Sequence, residues 1–199
     1  MKTYFHKKYL IIIPLIGLIF FSCDLFTTRE PESPSGISDV WTPPVNPQEV
    51  LRNISDAFEQ KNGVLYMKSF AQDIKSDSAF IFIPDYAASV YDTNIFTGWD
   101  YNSEESFIFK LFSPSFLPDD SAATIQFIPE SEPPGELSAV FHESYIITLH
   151  HIHQNLPISF SGRAEIQFIR DYTGSWVINR WIDENSGSQP NMTILKASL

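Results

Sequence analysis

Phe160-Ser161-Gly162-Arg163-Ala164-Glu165-Ile166-Gln167-Phe168 alternates at every step. Phe160, Gly162, Ala164, Ile166 and Phe168 share one face of an extended chain, and Ser161, Arg163, Glu165 and Gln167 share the other, because successive side chains of a strand point to opposite sides. A strand with one apolar and one polar face belongs to an antiparallel sheet that is wet on one side. Tyr172-Thr173-Gly174 then supplies a turn, and Trp176 to Asp183 supplies a second strand, so the segment closes as a hairpin. Upstream, Ala123 to Ile128 and Val140 to Ile152 read as two further strands, separated by the turn-rich Pro133-Pro134-Gly135.

The residues that can cover such a sheet lie further toward the N-terminus. Asn46-Pro47-Gln48-Glu49 starts a helix: Asn46 accepts a hydrogen bond from a free amide, Pro47 suits the first helical position, and Glu49 reaches back to the cap. Val50, Leu51, Ile54, Ala57 and Phe58 follow at helical spacing, and Asn62-Gly63 is expected to end the helix. A second short helix carries Leu65, Tyr66, Met67 and Phe70. Ala79-Phe80-Ile81-Phe82-Ile83 is dense in strand formers and stops at Pro84-Asp85. Asn102 with Glu105 forms a further capping pattern, so a third helix is expected from about Ser103 to Phe112.

Two helices, a strand, a helix and a run of long strands, from roughly Pro47 to Lys196, resemble the order found in the nuclear transport factor 2-like superfamily, also called ketosteroid isomerase-like or SnoaL-like. Phe70-Ala71-Gln72-Asp73 ahead of Phe80-Ile81-Phe82-Ile83-Pro84-Asp85 is similar to that family's passage from helix to first strand. Phe160-x-Gly162-x-Ala164, leading to Gly174-x-Trp176-x-Ile178-x-x-Trp181-x-Asp183, is similar to its closing hairpin. The resemblance implies an α+β fold, a cone-shaped curved antiparallel sheet wrapped around about three helices, with an internal pocket. Gly162 is expected to let its strand bend. The fold serves enzymes, ligand carriers and protein-binding modules, so it does not decide function.

At the N-terminus, Lys2, Lys7 and Lys8 precede an apolar run from Leu10 to Phe21, then Ser22 and Cys23, the only cysteine. A basic start, a short apolar core and a small residue before the junction form a secretion signal. The run is about a dozen residues, against roughly 20 for a membrane-spanning helix. Phe20-Phe21-Ser22-Cys23 resembles the lipobox of bacterial lipoproteins, although Phe20 stands where an aliphatic residue is usual. That resemblance implies cleavage before Cys23, acylation of its thiol and a place on the cell envelope outside the cytoplasm, at the inner or the outer membrane. Two acyl chains hold where one is marginal. Residues 24–45 are rich in Pro and Ser without apolar period, and read as a tether reaching on the order of 70 Å at about 3.3 Å per residue. The division expected is therefore signal 1–22, lipidated Cys23 with tether to 45, and one domain over 46–199.

The full chain has 13 basic and 24 acidic residues, a net charge of −11. Loss of the signal leaves ten basic residues and a charge of −14. No stretch supplies the clustered basic residues that binding a phosphate backbone needs, so nucleic acid is not expected as a partner. There is no phosphate-cradling glycine loop, no Gly-x-Ser-x-Gly elbow and no free cysteine nucleophile.

The remaining constellations are weak. On an extended strand, His151 and His153 of His150-His151-x-His153 share a face and His150 does not. Zinc wants three or four ligands, so an acidic neighbour such as Glu143, or a histidine across the sheet, would have to complete a site, and solvated or hydrogen-bonded strand histidines are the preferred reading; His142 lies nearby in sequence. Tyr66, Asp85, Asp100, His142 and Tyr145 could supply acid-base chemistry, but none aligns with a catalytic position. Asn53-Ile54-Ser55 and Asn191-Met192-Thr193 match the glycosylation sequon by chance. Tyr66, Phe80, Phe82, Trp99, Tyr145 and Trp181, with Phe107, are candidate pocket or rim residues. The chain reads as a membrane-anchored, non-catalytic module for a small apolar ligand or a protein, with a small pocket enzyme acting by acid-base catalysis on a hydrophobic substrate as the alternative. No catalytic residue, cofactor or metal is assigned, and the family resemblance, in which open sheet faces often pair, allows a homodimer.

Overall fold

The structure, a computed structural model, describes residues 41–72, 79–86, 94–130 and 140–199. The stretches read as leader and tether up to residue 40, Cys23 among them, lie outside the described residues, as do Asp73 and Pro133-Pro134-Gly135, read as a turn. Trp41–Leu199 form one compact unit. Residues 41–45, read as the end of the tether, lie against it. Trp41 packs on the core, with the Lys68 ammonium 5.5 Å from its ring centroid, and the Pro44 carbonyl accepts a hydrogen bond from the Trp176 amide at 3.1 Å.

Helix α1 (Pro47–Glu59) starts as its sequence dictates, with the Asn46 side chain accepting from the Glu49 amide. Glu49 returns the bond, accepting from the Asn46 side chain and the Val45 amide. Its end departs from expectation. Asn62-Gly63 does not close α1; Lys61 takes the left-handed turn at φ 49°, and Asn62 instead caps α2 (Gly63–Met67) through the Leu65 amide. Lys61 is held there by its ammonium, which donates to the carbonyls of Pro118 and Asp119.

Strand β1 (Ile81–Ile83) is three residues long because Pro84 ends it. Helix α3 (Tyr101–Leu111) is capped by Asp100 rather than Asn102: the Asp100 carboxylate accepts from the amide and hydroxyl of Ser103 at 2.9 and 3.1 Å. The carboxylate cap is the stronger acceptor, and the Ser103 amide holds its pKa below the usual value. Strands β2 (Ala123–Pro129), β3 (Val140–Leu149), β4 (Ser159–Arg170) and β5 (Trp176–Glu184) follow. They form one sheet in the order β1-β5-β4-β3-β2.

Two details of the expected fold change. The sheet is mixed rather than antiparallel, because β1 pairs parallel with β5. Among the described residues a fourth helix, α4 (Met192–Ala197), joins the three anticipated, capped by Asn191 accepting from the Ile194 amide. Asn191 of the second sequon is thus buried at a helix cap. The β4–β5 register runs Gln167 to Arg180 and then Phe168 to Ile178, leaving Asn179 as an extra residue. This bulge explains the spacing Ile178-x-x-Trp181, since one inserted residue returns the next side chains to the inner face.

Phe160, Gly162, Ala164, Ile166 and Phe168 do share the buried face of β4. Gly162 serves close approach there. It is paired with Tyr145, and a Cβ at its position would lie 2.3 Å from the Tyr145 hydroxyl and 2.9 Å from the Glu184 carbonyl oxygen. Gly162→Ala should therefore lower unfolding free energy by about 2 kcal/mol, the cost of overpacking a filled core. Urea denaturation followed by tryptophan fluorescence measures it, and an unchanged midpoint would contradict this account.

Candidate functional site

Helix α3 turns Glu104, Phe107, Ile108 and Leu111 inward, a helical stripe in which the first member is an acid. Glu104 is 1% exposed. Its carboxylate meets the Lys196 ammonium, brought in by α4 and itself 3% exposed. The other carboxylate oxygen accepts from the Tyr66 hydroxyl at 2.7 Å, and the Trp99 indole N–H donates to the oxygen that Lys196 also touches, again at 2.7 Å. Trp99 is held beside β1 by its carbonyl, which accepts from the Phe82 amide. The ammonium lies 4.1 Å from the Phe82 ring centroid, 4.8 Å from that of Trp99 and 4.7 Å from that of Phe107. Three aromatic faces and a carboxylate thus enclose one cation.

Burial lowers the Lys196 pKa, while the charges of Glu104 and Asp183 oppose that shift. Burial and then the neighbouring Glu104 charge push Tyr66 well above the ordinary phenol value, so it stays a hydrogen-bond donor.

A second cluster spans β3, β5 and α4. The Tyr145 hydroxyl donates to Asp183 Oδ1 at 2.5 Å, and accepts from the Met192 amide at 2.7 Å. Asp183 Oδ2 accepts from the Thr193 amide and hydroxyl at 2.8 and 2.6 Å, and the Thr193 hydroxyl oxygen accepts from the Asp85 amide. Burial raises the Asp183 pKa to about 6 against the pull of these bonds and of Lys196.

Glu143 lies one pairing row across. The register sets Glu143 opposite Ala164 and Ala164 opposite Asp183, all turned to the inner face. Glu143 is 4% exposed, and its Oε2 has no hydrogen-bond partner among the described residues. Burial first, and then the charge of Glu130, raise its pKa to about 7. The Trp181 indole N–H, also inward, is likewise unpartnered among the described residues. Its ring lies 6.1 Å from Tyr145 and 5.9 Å from Phe127.

Of the candidate pocket residues, Phe82 and Trp99, with Phe107, converge on Lys196, and Tyr66 reaches the far oxygen of Glu104. Tyr145 and Trp181 meet on the sheet face, and Phe80 packs elsewhere, against Phe70 at 4.7 Å. Asp100 is spent on the α3 cap and His142 points outward. The histidine cluster is not on a strand, because β3 stops at Leu149. His151 and His153 instead lie against Phe116, and among the described residues no three metal-ligating side chains come together. Glu104 and Lys196 were missed from sequence. The available signals were an acid at an apolar-face position of α3 and, for Glu143, an acid at the inward parity of Phe141, Tyr145 and Ile147.

No protein-family model and no curated protein matches the chain. Among solved structures it is similar to a conserved protein from Planctomyces limnophilus, at 10% identity and a TM-score of 0.50 over 68% of this chain and 89% of that one. It is also similar to an NTF-2 like protein of unknown function from Shewanella oneidensis, at 13% identity and 0.49 over 69% and 95%. A nuclear transport factor 2-like superfamily protein from Salmonella enterica shows 16% and 0.45 over 73% and 89%. Identities this low speak to the fold alone. The α+β class expected from the sequence is the one the chain adopts, with its five strands in a single mixed sheet.

Breaking a buried ion pair leaves one charge without compensation, so Glu104→Gln or Lys196→Met alone should each cost about 3–5 kcal/mol of stability. The double variant should cost much less than their sum, as a double-mutant cycle from urea unfolding would show. Glu143 gives a second expectation. Its folded pKa of about 7 lies above the ordinary value of 4.5, so the folded state holds the proton more tightly and stability falls as pH rises from about 4.5 to 7. Glu143→Gln should flatten that segment of the stability–pH profile, and an unchanged slope would show that Glu143 does not titrate there.

Proposed function

We propose that this chain is a lipid-anchored module of a bacterial cell envelope that holds a small, largely apolar molecule on the inner face of its sheet, without chemistry of its own. One observation carries the binding reading: Glu143 Oε2 and the Trp181 indole N–H are buried on one face beside Tyr145, an acceptor and a donor with no protein partner among the described residues. Buried polar groups are otherwise almost always hydrogen-bonded, and an apolar wall with a few unspent polar groups is how ligand sites are built. Glu104 with Lys196, and Asp183 with Tyr145 and Thr193, are by contrast satisfied by the protein itself, and the further unpartnered buried atoms, on Gln60, Ser69, Asn179, Arg180 and Asn191, are not paired donor to acceptor beside an aromatic wall in this way. Anchoring rests on the sequence around Cys23.

A small pocket enzyme is the second reading, favoured by Glu143 alone. A buried carboxyl with a pKa of about 7 is poised to give or take a proton at neutral pH. In that case Glu143→Gln would abolish turnover of the bound compound while leaving its affinity within about threefold.

Native mass spectrometry of the detergent-extracted protein tests the whole proposal. The expected spectrum carries diacyl or triacyl mass on a chain beginning at Cys23, and a co-purified small molecule that Trp181→Phe loses. Cys23→Ala should accumulate with its leader uncut and without acyl mass. A variant that fractionates and processes like its parent would overturn the anchor, and an extracted domain free of any small molecule would overturn the binding role.

A further inference from the structure

We propose that the cage of Phe82, Trp99 and Phe107, backed by Glu104, is a binding site for an organic primary ammonium ion on an unbranched apolar stem, and that Lys196 occupies it as a tethered stand-in which such a ligand displaces. The inference goes beyond the binding role proposed for the face at Glu143 and Trp181: it adds a second site in the same interior, filled in this structure by the protein's own lysine.

Stability alone does not account for the cage. A buried ion pair replaced by packed apolar residues is often neutral or stabilising, yet here three ring faces lie 4.1 to 4.8 Å from one ammonium. The carboxylate behind it is already fixed on its far side by Tyr66 and steadied by Trp99. That is the construction by which proteins recognise ammonium ligands, with π faces around the cation and an anion at its end.

The charge balance points the same way. Among the fully buried charged side chains of the described residues, Glu104, Glu143 and Asp183 are acids and Lys196 is the one cation. With Lys196 withdrawn, the interior keeps its acids and accepts a positive ion in exchange. The net charge of −11 draws cations toward the domain from outside.

Displacement is built into the way the lysine is delivered. Helix α4 has six residues, too few to hold as a helix by itself. It is reached through residues 185–189, all exposed and polar or small, with open space around Gly187. Its position therefore depends on its contacts: Lys196 in the cage, Thr193 and the Met192 amide on Asp183 and Tyr145, and Leu195 in the core. A ligand in the cage removes the first of these.

The test uses the full chain and n-propylammonium, which replaces the atoms lost in Lys196→Ala. Lys196→Ala should gain roughly 5–10 °C in Tm at about a hundred times the Kd, saturably, with tryptophan fluorescence changing in parallel. Equal concentrations of 1-propanol or potassium chloride should give no saturable change, and adding Glu104→Gln should weaken ammonium binding at least tenfold. If Lys196→Ala does not fold alone, n-propylammonium in the refolding buffer should restore it. The neutral Glu104→Gln/Lys196→Met variant, its cage filled, should fold and ignore the amine. In the unsubstituted protein, the amine should speed hydrogen exchange of the Met192 and Thr193 amides at least threefold while leaving that of Ile54 unchanged. Binding equal for propanol and propylammonium, no rescue, or unchanged exchange would each overturn the proposal. Loss of the amine effect in a protein that still carries another co-purified molecule would remove the ammonium assignment and leave the binding module standing.

Discussion

Glu104 and Lys196 are separated by 92 positions in the chain, and neither charge can stay buried without the other. A lone charge out of water costs several kcal/mol, so the pair forms together or both groups remain in solvent. Their meeting requires α4 to dock against α3 and β1, with Phe82, Trp99 and Phe107 closing around the ammonium. Docking then places Thr193 and the Met192 amide where Asp183 and Tyr145 need partners. Tyr145 in turn lies over Gly162, which admits no side chain. A single ion pair thus connects the last helix to the register of the central strands.

That arrangement divides the interior into groups that are spent and groups that are not. Asp183 receives three hydrogen bonds and Glu104 is held from two sides by neutral donors as well as by the lysine. Glu143 and the Trp181 indole have no such partners among the described residues. The inner face is thus the core that stabilises the sheet and also the place where the unspent groups lie. Among the described residues the interior buries three acids, Glu104, Glu143 and Asp183, against one base, Lys196.

Much of this was legible in the sequence, and for local reasons. Asn46-Pro47-Gln48-Glu49 names its own cap, and the alternation from Phe160 to Phe168 names its own buried face, because both depend on neighbours a few positions away. The Asp100 cap was misplaced by two residues because Asn102 offers a competing pattern, and only the observed geometry shows which side chain reaches the free amides. Helix α4 was missed because a six-residue helix after a polar stretch has no periodicity to read. Its stability comes from what it touches. The histidine cluster misled for a related reason: β3 ends at Leu149, and Phe116, distant in sequence, takes up two of the rings.

The sequence by itself determined the α+β class, the run of long strands and the residues that face the core, since these follow from alternation, helical spacing and capping chemistry. It also set the expectation of an acylated Cys23. Only the tertiary structure decided that β1 runs parallel to β5, that Asn179 bulges, and that Glu104 and Lys196 share a cage. Those outcomes arise from pairings between distant segments, where burial raises the cost of an unmatched charge or polar atom and so selects one partner from many that the linear order leaves equivalent.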